Sequence, residues 1–504
     1  MADFKAVYQD LLNRQKEIAL LNSVSGLLEW GERTYLPEDA SFHRADQIAY
    51  MAGMIHEKSI HPRVGELLTE LESRGFEDEY GVEAVNVREW RRDYDKKIRL
   101  PSELVQEMSR VAIHAQKAWK EARRINDFKL FQPWLEKTVN LKQREADCYS
   151  WEGEPYNALL DTYEPGARSN NLGAVLTDLR EALVPLVRAV AESPLQPNVS
   201  ILHRSYPAAA QESFAKEVAK SIGYQFGAGR LDPTAHPFCT GLGPRDVRIT
   251  TRYDENFLNG ALFGVIHEAG HGLYEQNLPA EHWGTPRGEA VSLGFHESQS
   301  RLWENFVARG RAFWEFWYPR AQQIFTSLDG VSLDDFHFAV NQVKPSFIRV
   351  EADEVTYNLH ILLRFEIERG LISGDLKTAE APVVWNERFQ NYFGIPVPDE
   401  AHGVLQDIHW SAGLIGYFPT YSLGNLNAAQ IFAAADRELG GLDEQFRNGR
   451  FDVVRRWLTE KIHSQGRRYH PDKLIEVVTG QPLSAQPLVS YLKNKFSELY
   501  QVKL

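Results

Sequence analysis

The chain has 504 residues, of which 43% are hydrophobic and 25% are charged, as is typical of soluble globular proteins. Its 56 basic and 69 acidic residues give a net charge of −13, which disfavours nucleic acid and anionic membranes as partners. The two cysteines, Cys148 and Cys239, exclude a disulfide framework and a zinc site built from cysteines.

The amino terminus shows no sign of a targeting segment. It lacks a basic stretch followed by an apolar one, so we predict no secretory signal. No apolar run approaches the roughly 18 residues needed to span a bilayer. We therefore expect a cytoplasmic protein that does not use a membrane as a partner.

Apolar residues at steps of three and four predict a mainly helical chain. Ser102 is the predicted N-cap of one helix, and Asp127 marks the connection after it. No internal repeat or long linker marks a domain boundary. The helices predicted before the first motif span residues 4–21, 40–57, 62–74, 82–97, 102–125, 133–152 and 170–192.

One segment, residues 246–253, has the alternating pattern of a half-buried strand. It ends shortly before the histidine-rich segment described next. A strand there could border a binding groove and hold an extended peptide at a sheet edge. A short structural hairpin explains the same pattern equally well.

The segment 260–274 contains His267, Glu268 and His271 in the H-E-x-x-H arrangement. On a helix the two histidines lie one turn apart and can bind the same ion. Glu268 points about 100° round the helix, where it can accept a proton from water activated by zinc. The alternative is a core helix that contains two histidines by chance.

A catalytic zinc ion normally has three protein ligands, and Glu297 is the candidate for the third. The Pro and Gly of residues 283–288 end the first helix, and a second helix beginning near Ser292 can return antiparallel to it. A solvated helix glutamate is the alternative reading of Glu297. His296 is the rival ligand, although we expect its side chain to point away from the face of Glu297.

Two later segments contain polar groups suited to peptide hydrolysis. Arg349 could bind a carboxylate with two hydrogen bonds, or it could be a solvated helix residue. His409, Tyr417 and Tyr421 lie in a predicted Gly-rich loop, where they could stabilise an oxyanion or serve in packing. Upstream, His236 lies beside a proline and could line a site or pack within its loop.

Six motifs in order resemble the carboxypeptidase Taq family of thermostable zinc metallocarboxypeptidases. The resemblance extends over nearly the whole chain, including residues 101–136 and 163–166, and we find no departure at a motif position. The motifs are His-Pro-Phe at 236–238, Asp-Val-Arg-Ile-Thr at 246–250, His-Glu-Ala-Gly-His at 267–271, His-Glu-Ser-Gln at 296–299, Ile-Arg-Val-Glu-Ala-Asp at 348–353 and Gly-Val-Leu-Gln-Asp-Ile-His-Trp at 403–410.

This resemblance implies a mainly α fold similar to that of neurolysin and angiotensin-converting enzyme, with a long active-site groove beside a small sheet. Residues 1–504 would form a single catalytic domain, whose helices could make two lobes flanking the groove. The resemblance also implies a homodimer that removes single C-terminal amino acids from peptides with broad specificity, except poorly at proline. Zinc is the expected ion, and cobalt can replace it.

The expected site combines both lines of argument. His267, His271 and Glu297 would bind zinc, Glu268 would be the general base, and Arg349 would bind the terminal carboxylate. By resemblance, the remaining contacts to the substrate or oxyanion would come from His236, His409, Tyr421, Arg248 and Thr250.

Two rival functions are compatible with these residues. The same zinc site could serve an endopeptidase or a dipeptidyl carboxypeptidase, depending on the distance between the ion and Arg349. The chain could also be a peptide-binding scaffold without catalytic activity. The three ligands together with Glu268 argue against a scaffold.

Overall fold

Most of the chain is helical, as its periodicity predicts, in a computed structural model that describes residues 4–503. The strands β1 (Gly229–Pro233), β2 (Cys239–Gly243) and β3 (Asp246–Thr251) form a small sheet. The predicted mainly α fold with a small sheet is therefore confirmed. The helices are α1 (Phe4–Thr34), α2 (Ser41–Ser59), α3 (Pro62–Glu72), α4 (Val82–Arg99), α5 (Ser102–Ile125), α6 (Phe128–Tyr149), α7 (Tyr156–Tyr163), α8 (Ser169–Glu192), α9 (Ala208–Ile222), α10 (Leu258–Asn277), α11 (Leu293–Arg301), α12 (Arg311–Ile324), α13 (Leu333–Val340), α14 (Thr356–Ser373), α15 (Ala381–Phe393), α16 (Pro419–Leu439), α17 (Leu442–Arg447), α18 (Asp452–Lys461), α19 (Pro471–Thr479) and α20 (Gln486–Tyr500).

The boundaries of two early helices differ in detail from those predicted. α1 continues beyond residue 21 to Thr34, because the buried Trp30 extends its inner face. α5 has the predicted limits, but Ser102 is its first helical residue and not its N-cap. The N-cap is Pro101, which makes no side-chain capping bond, so the predicted cap is wrong.

α6 begins earlier than predicted. The prediction placed its start at Pro133, but the Asp127 carboxylate accepts the Lys129 N–H and fixes the first turn at Phe128. Burial of Phe128 and Phe131 stabilises that turn. Pro133 is consequently accommodated inside the helix, near its beginning.

The chain divides into two compact units. The first unit contains residues up to Ile98, Asn198–Val340 and Ile431–Gln481. The second unit contains Arg99–Pro197, Asn341–Gln430 and the residues from Pro482 onward. The division falls within α16. The expectation of a single catalytic domain stays a prediction.

In the first unit, β3 is the central strand of the sheet. β1 pairs with β3 in parallel and β2 pairs with it antiparallel. Both edges of β3 are therefore occupied, which corrects the expectation that this strand offers an edge to a peptide. On its outer side, β2 packs against α1, whose Ser23 hydroxyl donates to the Leu242 carbonyl.

α10 is the helix that carries the histidine motif, and it is buried as predicted. It packs on β2 and β3 and against α9 and α11. Burial of its large apolar side chains stabilises the helix by roughly 1.5–3 kcal/mol for each of them. The buried apolar residues around the motif are Leu262, Phe263, Val265, Ile266 and Leu273.

In the second unit, α14 is buried among α6, α7, α8 and α15. Nearly every residue of α14 is inaccessible, including the charged side chains of Arg364 and Glu368. Buried charges are costly unless they are paired or hydrogen-bonded. These two residues therefore require partners, which we describe with the site.

Neither cysteine is bonded to the other, since Cys148 and Cys239 are both free. Within residues 4–503, every helix is too short or too polar to cross a membrane. The cytoplasmic location stays a prediction.

Candidate metal centre

Two helices of the first unit bring the predicted ligands together. His267 and His271 lie one turn apart on α10, so their imidazoles leave the same face. The Ser292 hydroxyl accepts an N–H in the first turn of α11, which fixes the start of that helix close to the predicted position. α11 then places Glu297 beside both histidines.

A glycine inside the histidine motif allows α10 and α11 to approach each other. A Cβ atom at Gly270 would lie 2.6 Å from Ser300 Cα and 2.7 Å from the Gln299 carbonyl oxygen. Backbone atoms cannot move aside easily, so any side chain at this position would push α11 away. Gly270 is therefore a requirement for the position of Glu297.

The three candidate ligand atoms fit a small divalent ion. The donor atoms of His267, His271 and Glu297 all lie within 4.8 Å of one another. Glu297 Oε2 is 3.7 Å from His267 Nε2 and 3.4 Å from His271 Nε2. Ligands about 2.0–2.2 Å from a tetrahedral zinc ion are separated by roughly 3.4 Å. Three such ligands leave a fourth position for water or substrate.

Charged neighbours orient two of these ligands. His267 Nδ1 lies 2.9 Å from Glu304 Oε2, which leaves Nε2 directed at Glu297. Arg301 Nε donates to Glu297 Oε1 over 2.6 Å, so only Oε2 faces the histidines. Arg301 also contacts Glu304 at 3.2 Å. Glu304 itself lies on a π-helical segment, Leu302–Ala308, that continues α11.

His271 has a different support. Its Nδ1 lies 2.6 Å from Nδ1 of His296, whose Nε2 lies 2.9 Å from Glu275 Oε1. Both ring nitrogens of His296 are therefore engaged, and neither can serve as the third ligand. His296 is not among the three clustered donors of the described residues, which agrees with the expected direction of its side chain off the face of Glu297, but it does contact the ligand His271.

The electrostatics of the centre differ among the ligand groups. Burial lowers the pKa of His271 to about 3, so this imidazole is neutral. Burial raises the pKa of Glu297, but Arg301 and the two histidines outweigh burial and hold that pKa well below its usual value. Similar pairing with Arg301 lowers the pKa of Glu304 to about 2. For His267 the carboxylates outweigh burial, and its pKa is raised.

Glu268 is buried next to the ligands on α10. Burial raises the pKa of its carboxyl group to about 7, with the nearby Glu297 adding to the rise and His267 opposing it. Within the part of the chain that the structure describes, Glu268 is not among the three clustered donors. A carboxyl group of this pKa can both accept and release a proton near neutral pH.

The two predicted substrate residues of β3 are engaged in structural contacts. Arg248 pairs with both oxygens of Asp246 at 2.8 and 2.9 Å, and its guanidinium lies 4.3 Å from the Trp30 ring centroid. Thr250 is fully buried, and its hydroxyl bonds to both the N–H and the carbonyl of Phe238. These bonds hold the segment that follows His236, whose own side chain is exposed.

Arg349, in the second unit, is not a solvated helix residue. It lies in a short 3-10 turn with its side chain 6% exposed. Its Nη2 donates to Asp407 Oδ1 over 2.9 Å, and its Nη1 donates to the Tyr357 hydroxyl over 3.0 Å. Arg364 pairs with the other oxygen of Asp407, with Nε at 2.7 Å. Together the two arginines hold the pKa of Asp407 well below its usual value, despite its burial.

His409 and Tyr421 lie beside this cluster within the second unit. The His409 ring centroid is 5.6 Å from that of Tyr417 and 6.4 Å from that of Tyr421. The Arg349 guanidinium is 5.1 Å from the Tyr421 ring. Tyr421 belongs to the first turn of α16 rather than to a loop, so that part of the prediction is wrong. Burial lowers the pKa of His409 to about 4, which leaves the ring neutral.

Glu368, on α14, holds the segment around His409 through hydrogen bonds. Its carboxylate accepts hydrogen bonds from the Tyr156 hydroxyl, the Trp410 indole and the Gly416 N–H, at 2.7, 2.9 and 3.0 Å. Burial raises the pKa of this group to about 7, although the three donors oppose the rise. The segment that carries His409 and Tyr417 is thus tied to a buried acid on α14.

Several residues of the site have partners that the sequence reasoning missed. Glu304 follows Glu297 by two helical turns, a spacing that offers a weak signal on its own. Asp407 lies inside a motif we had singled out, but its partner Arg364 lies outside every motif. Glu275 follows His271 by one turn and contacts it only through His296.

Comparisons with known proteins agree with the geometry. A family model described as carboxypeptidase Taq (M32) metallopeptidase matches residues 10–496. Thermostable carboxypeptidase 1 of Thermus thermophilus is 48% identical, over 98% of this chain and 99% of that protein. Carboxypeptidase 1 of Bacillus subtilis is 38% identical, over 99% of both chains. A solved M32 carboxypeptidase from Deinococcus radiodurans R1 has 40% identity and a TM-score of 0.96, covering 99% of this chain and 100% of that one. The chain therefore belongs to the carboxypeptidase Taq (M32) family and is a metallocarboxypeptidase.

Proposed function

We propose that this metallocarboxypeptidase uses zinc to hydrolyse the last peptide bond of its substrates, releasing single amino acids with broad specificity but poorly at proline. The observation that carries the proposal is the convergence of His267 Nε2, His271 Nε2 and Glu297 Oε2. In each ligand the second polar atom already has a protein partner. Only the converging atoms therefore remain to bind an ion.

Zinc is the proposed ion because two imidazole nitrogens and one carboxylate oxygen are a common catalytic zinc set. Such a set discriminates weakly among divalent metals, so cobalt can substitute. When bound, the ion supplies Lewis acidity, which lowers the pKa of a bound water to about 7 and polarises a carbonyl group.

Glu268 is the proposed general base. Its carboxylate removes a proton from the attacking water and then donates that proton to the amine that leaves. The pKa of about 7 in this buried position suits both steps, because neither protonation state is strongly disfavoured at neutral pH.

Arg349 is the proposed binding residue for the terminal carboxylate of the peptide. Arg349 and Arg364 share the single carboxylate of Asp407, so the buried cluster retains one excess positive charge. A second carboxylate would neutralise that charge. Charged hydrogen bonds of this kind contribute about 1.5–3 kcal/mol each.

The remaining contacts follow the same proposal. Neutral His409 and Tyr421 would donate hydrogen bonds to the substrate or to the oxyanion that forms during hydrolysis. His236 would contact the peptide from its loop. Arg248 and Thr250, whose polar atoms are occupied, would contribute by shaping the strand and the adjacent loop. We further propose a cytoplasmic homodimer in which the chain forms a single catalytic domain.

Mass spectrometry of one peptide in two forms tests the function. With added zinc or cobalt, we expect stepwise loss of single residues from the peptide with a free C-terminus. The same peptide with an amidated C-terminus should remain intact. Release of dipeptides would favour a dipeptidyl carboxypeptidase, and internal cleavage of both forms would favour an endopeptidase. Absence of cleavage and of bound metal in the purified protein would favour a scaffold.

A further inference from the structure

A continuous set of hydrogen bonds links His271 to a carboxylate at the rim of a cavity in the first unit. We propose that His296 and Glu275 are positioning residues, which together hold the His271 imidazole with Nε2 free to bind metal. This inference rests on the proposed role of His271 as a ligand. It assigns a function to two side chains that lie outside the cluster of candidate ligand atoms in the described residues.

The direction of each hydrogen bond follows from its acceptor. An ionised carboxylate can only accept, so Glu275 Oε1 receives the proton on His296 Nε2, 2.9 Å away. His296 Nδ1 then has a lone pair and accepts from Nδ1 of His271 over 2.6 Å. With its proton on Nδ1, His271 presents the Nε2 lone pair to the ion. The carboxylate of Glu275 thus selects the tautomer of His271 through His296, without contacting His271 itself.

The ring geometry agrees with this reading. The His271 and His296 centroids are 4.6 Å apart, and the ring planes differ by 26°. That separation is close to the nitrogen–nitrogen distance plus the two ring radii. The two nitrogens therefore face each other in nearly parallel rings, as an N–H···N bond favours.

A glycine on β2 provides the space that Glu275 occupies. A Cβ atom at Gly241 would lie 2.6 Å from Glu275 Oε2, so any side chain there would displace the carboxylate. Glu275 and Gly241 both line a cavity of about 570 Å³. The Glu275 side chain is 25% exposed, so solvent can reach it. The hydrogen bonds that hold His271 therefore start from a residue of the cavity wall.

The other ligand histidine provides an internal comparison. His267 receives its support directly from Glu304, which contacts neither His296 nor Glu275 in the described contacts. The two ligand histidines therefore depend on different acids, His267 on Glu304 directly and His271 on Glu275 through His296. Removing one partner should leave the orientation of the other histidine intact.

Metal affinity of full-length variants tests the proposal, with competition against a chelator for zinc as the measurement. We expect His296→Phe and Glu275→Ala to bind zinc about 10- to 100-fold more weakly. Glu275→Gln should retain affinity close to that of the native protein, because its amide oxygen can accept the same N–H. Glu289→Ala is the matched control, since Glu289 lines the same cavity but pairs with Arg467.

Two further measurements separate positioning from folding. The melting temperature of each metal-free variant checks that the protein is folded. The visible absorption of the cobalt-loaded protein reports the ligand geometry, and it should change in His296→Phe but not in Glu289→Ala. Native affinity and an unchanged cobalt spectrum in folded His296→Phe would overturn the proposal. A Glu275→Gln variant as weak as Glu275→Ala would do so as well.

Displacement of Glu275 without altering it is a second test. Gly241→Ala should weaken zinc binding as Glu275→Ala does, whereas Gly264→Ala should not, because a Cβ at Gly264 meets only Thr251 Oγ1 at 3.5 Å. Equal zinc affinity of Gly241→Ala and Gly264→Ala would contradict the role of Gly241. The variant His271→Ala tests the underlying function, since unchanged zinc binding in it would remove the proposed metal site itself.

Discussion

The candidate metal centre and the Arg349 cluster are both buried groups of charged side chains, but the first presents acceptor atoms and the second presents guanidinium donors. At the metal centre, two imidazole nitrogens and one oxygen of Glu297 converge, while Arg301 pairs with Glu297 and Glu304. In the Arg349 cluster, two guanidiniums share one carboxylate. Converging lone pairs suit a cation, and a buried guanidinium in excess of carboxylate suits an anion. The first would bind a cation and the second an anion.

The largest effect should come from replacing Glu268, the proposed general base. Glu268→Gln should lower the turnover number about 10²- to 10⁴-fold, because the amide cannot accept the proton of the attacking water. Zinc affinity, measured by chelator competition, should remain near the native value since Glu268 is not a ligand. Native turnover in this variant would eliminate Glu268 as the base.

Removal of a supporting acid should have the next largest effect. Glu304→Ala should weaken zinc binding about 10- to 100-fold, because His267 loses the carboxylate that holds its Nδ1. Glu315→Ala, which removes a partly exposed acid paired with Arg311 and Arg447, is the control. Equal zinc affinities for the two variants would show that Glu304 does not hold His267 in position for metal binding.

The positive cluster can be tested through the substrate. Arg349→Gln should reduce kcat/KM for a peptide with a free C-terminus by about 10- to 100-fold, equivalent to the loss of one charged hydrogen bond. Arg180→Gln in the same unit, where the arginine pairs with Glu366, should leave kcat/KM unchanged. An Arg349→Gln enzyme that still prefers the free acid over the amide would place carboxylate recognition elsewhere.

The last expectation concerns stability, and it compares two buried acids with the same pKa. Glu368, like Glu268, has a pKa of about 7 in the folded protein, above its ordinary 4.5. The folded state therefore binds more protons than the unfolded state between these values, and stability falls as pH rises through this range. Keeping the buried Glu368 ionised therefore lowers the free energy of unfolding by about 3 kcal/mol above pH 7.

Denaturant unfolding at several pH values checks this expectation. Glu368→Gln removes the titrating group, and its single carbonyl oxygen can replace only one of the two carboxylate oxygens that accept separately from the Trp410 and Gly416 N–H groups. The loss of one acceptor is the same at every pH, so the free energy of unfolding of the variant relative to the native protein should be higher at pH 8 than at pH 5. A difference that does not change with pH would show that Glu368 is charged throughout the range.

Local spacing explains why much of the metal centre could be predicted from sequence. Two histidines four residues apart share a helix face whatever the fold, and Glu297 is the only carboxylate in residues 290–300. The supports of these residues could not be predicted in the same way. His296 contacts His271 only because α10 and α11 meet at Gly270, and that approach depends on tertiary packing.

The Arg349 cluster shows the same division. The arginine and the motif containing Asp407 were both recognised, but nothing local indicates that a residue 58 positions away would pair with it. The alternating pattern of residues 246–251 correctly predicted a strand. The pattern could not show that two other strands flank it, because the order of strands is set by long-range pairing.

The contact between α1 and the outer side of β2 also affects how the protein behaves in solution. An uncovered strand edge can pair with the edge of another molecule and start aggregation. Here the Ser23 hydroxyl bonds to the Leu242 carbonyl, and a methyl group of Leu242 lies close to Gly26. A helix thus covers the edge of β2, which protects the folded enzyme from sheet-to-sheet association along this strand.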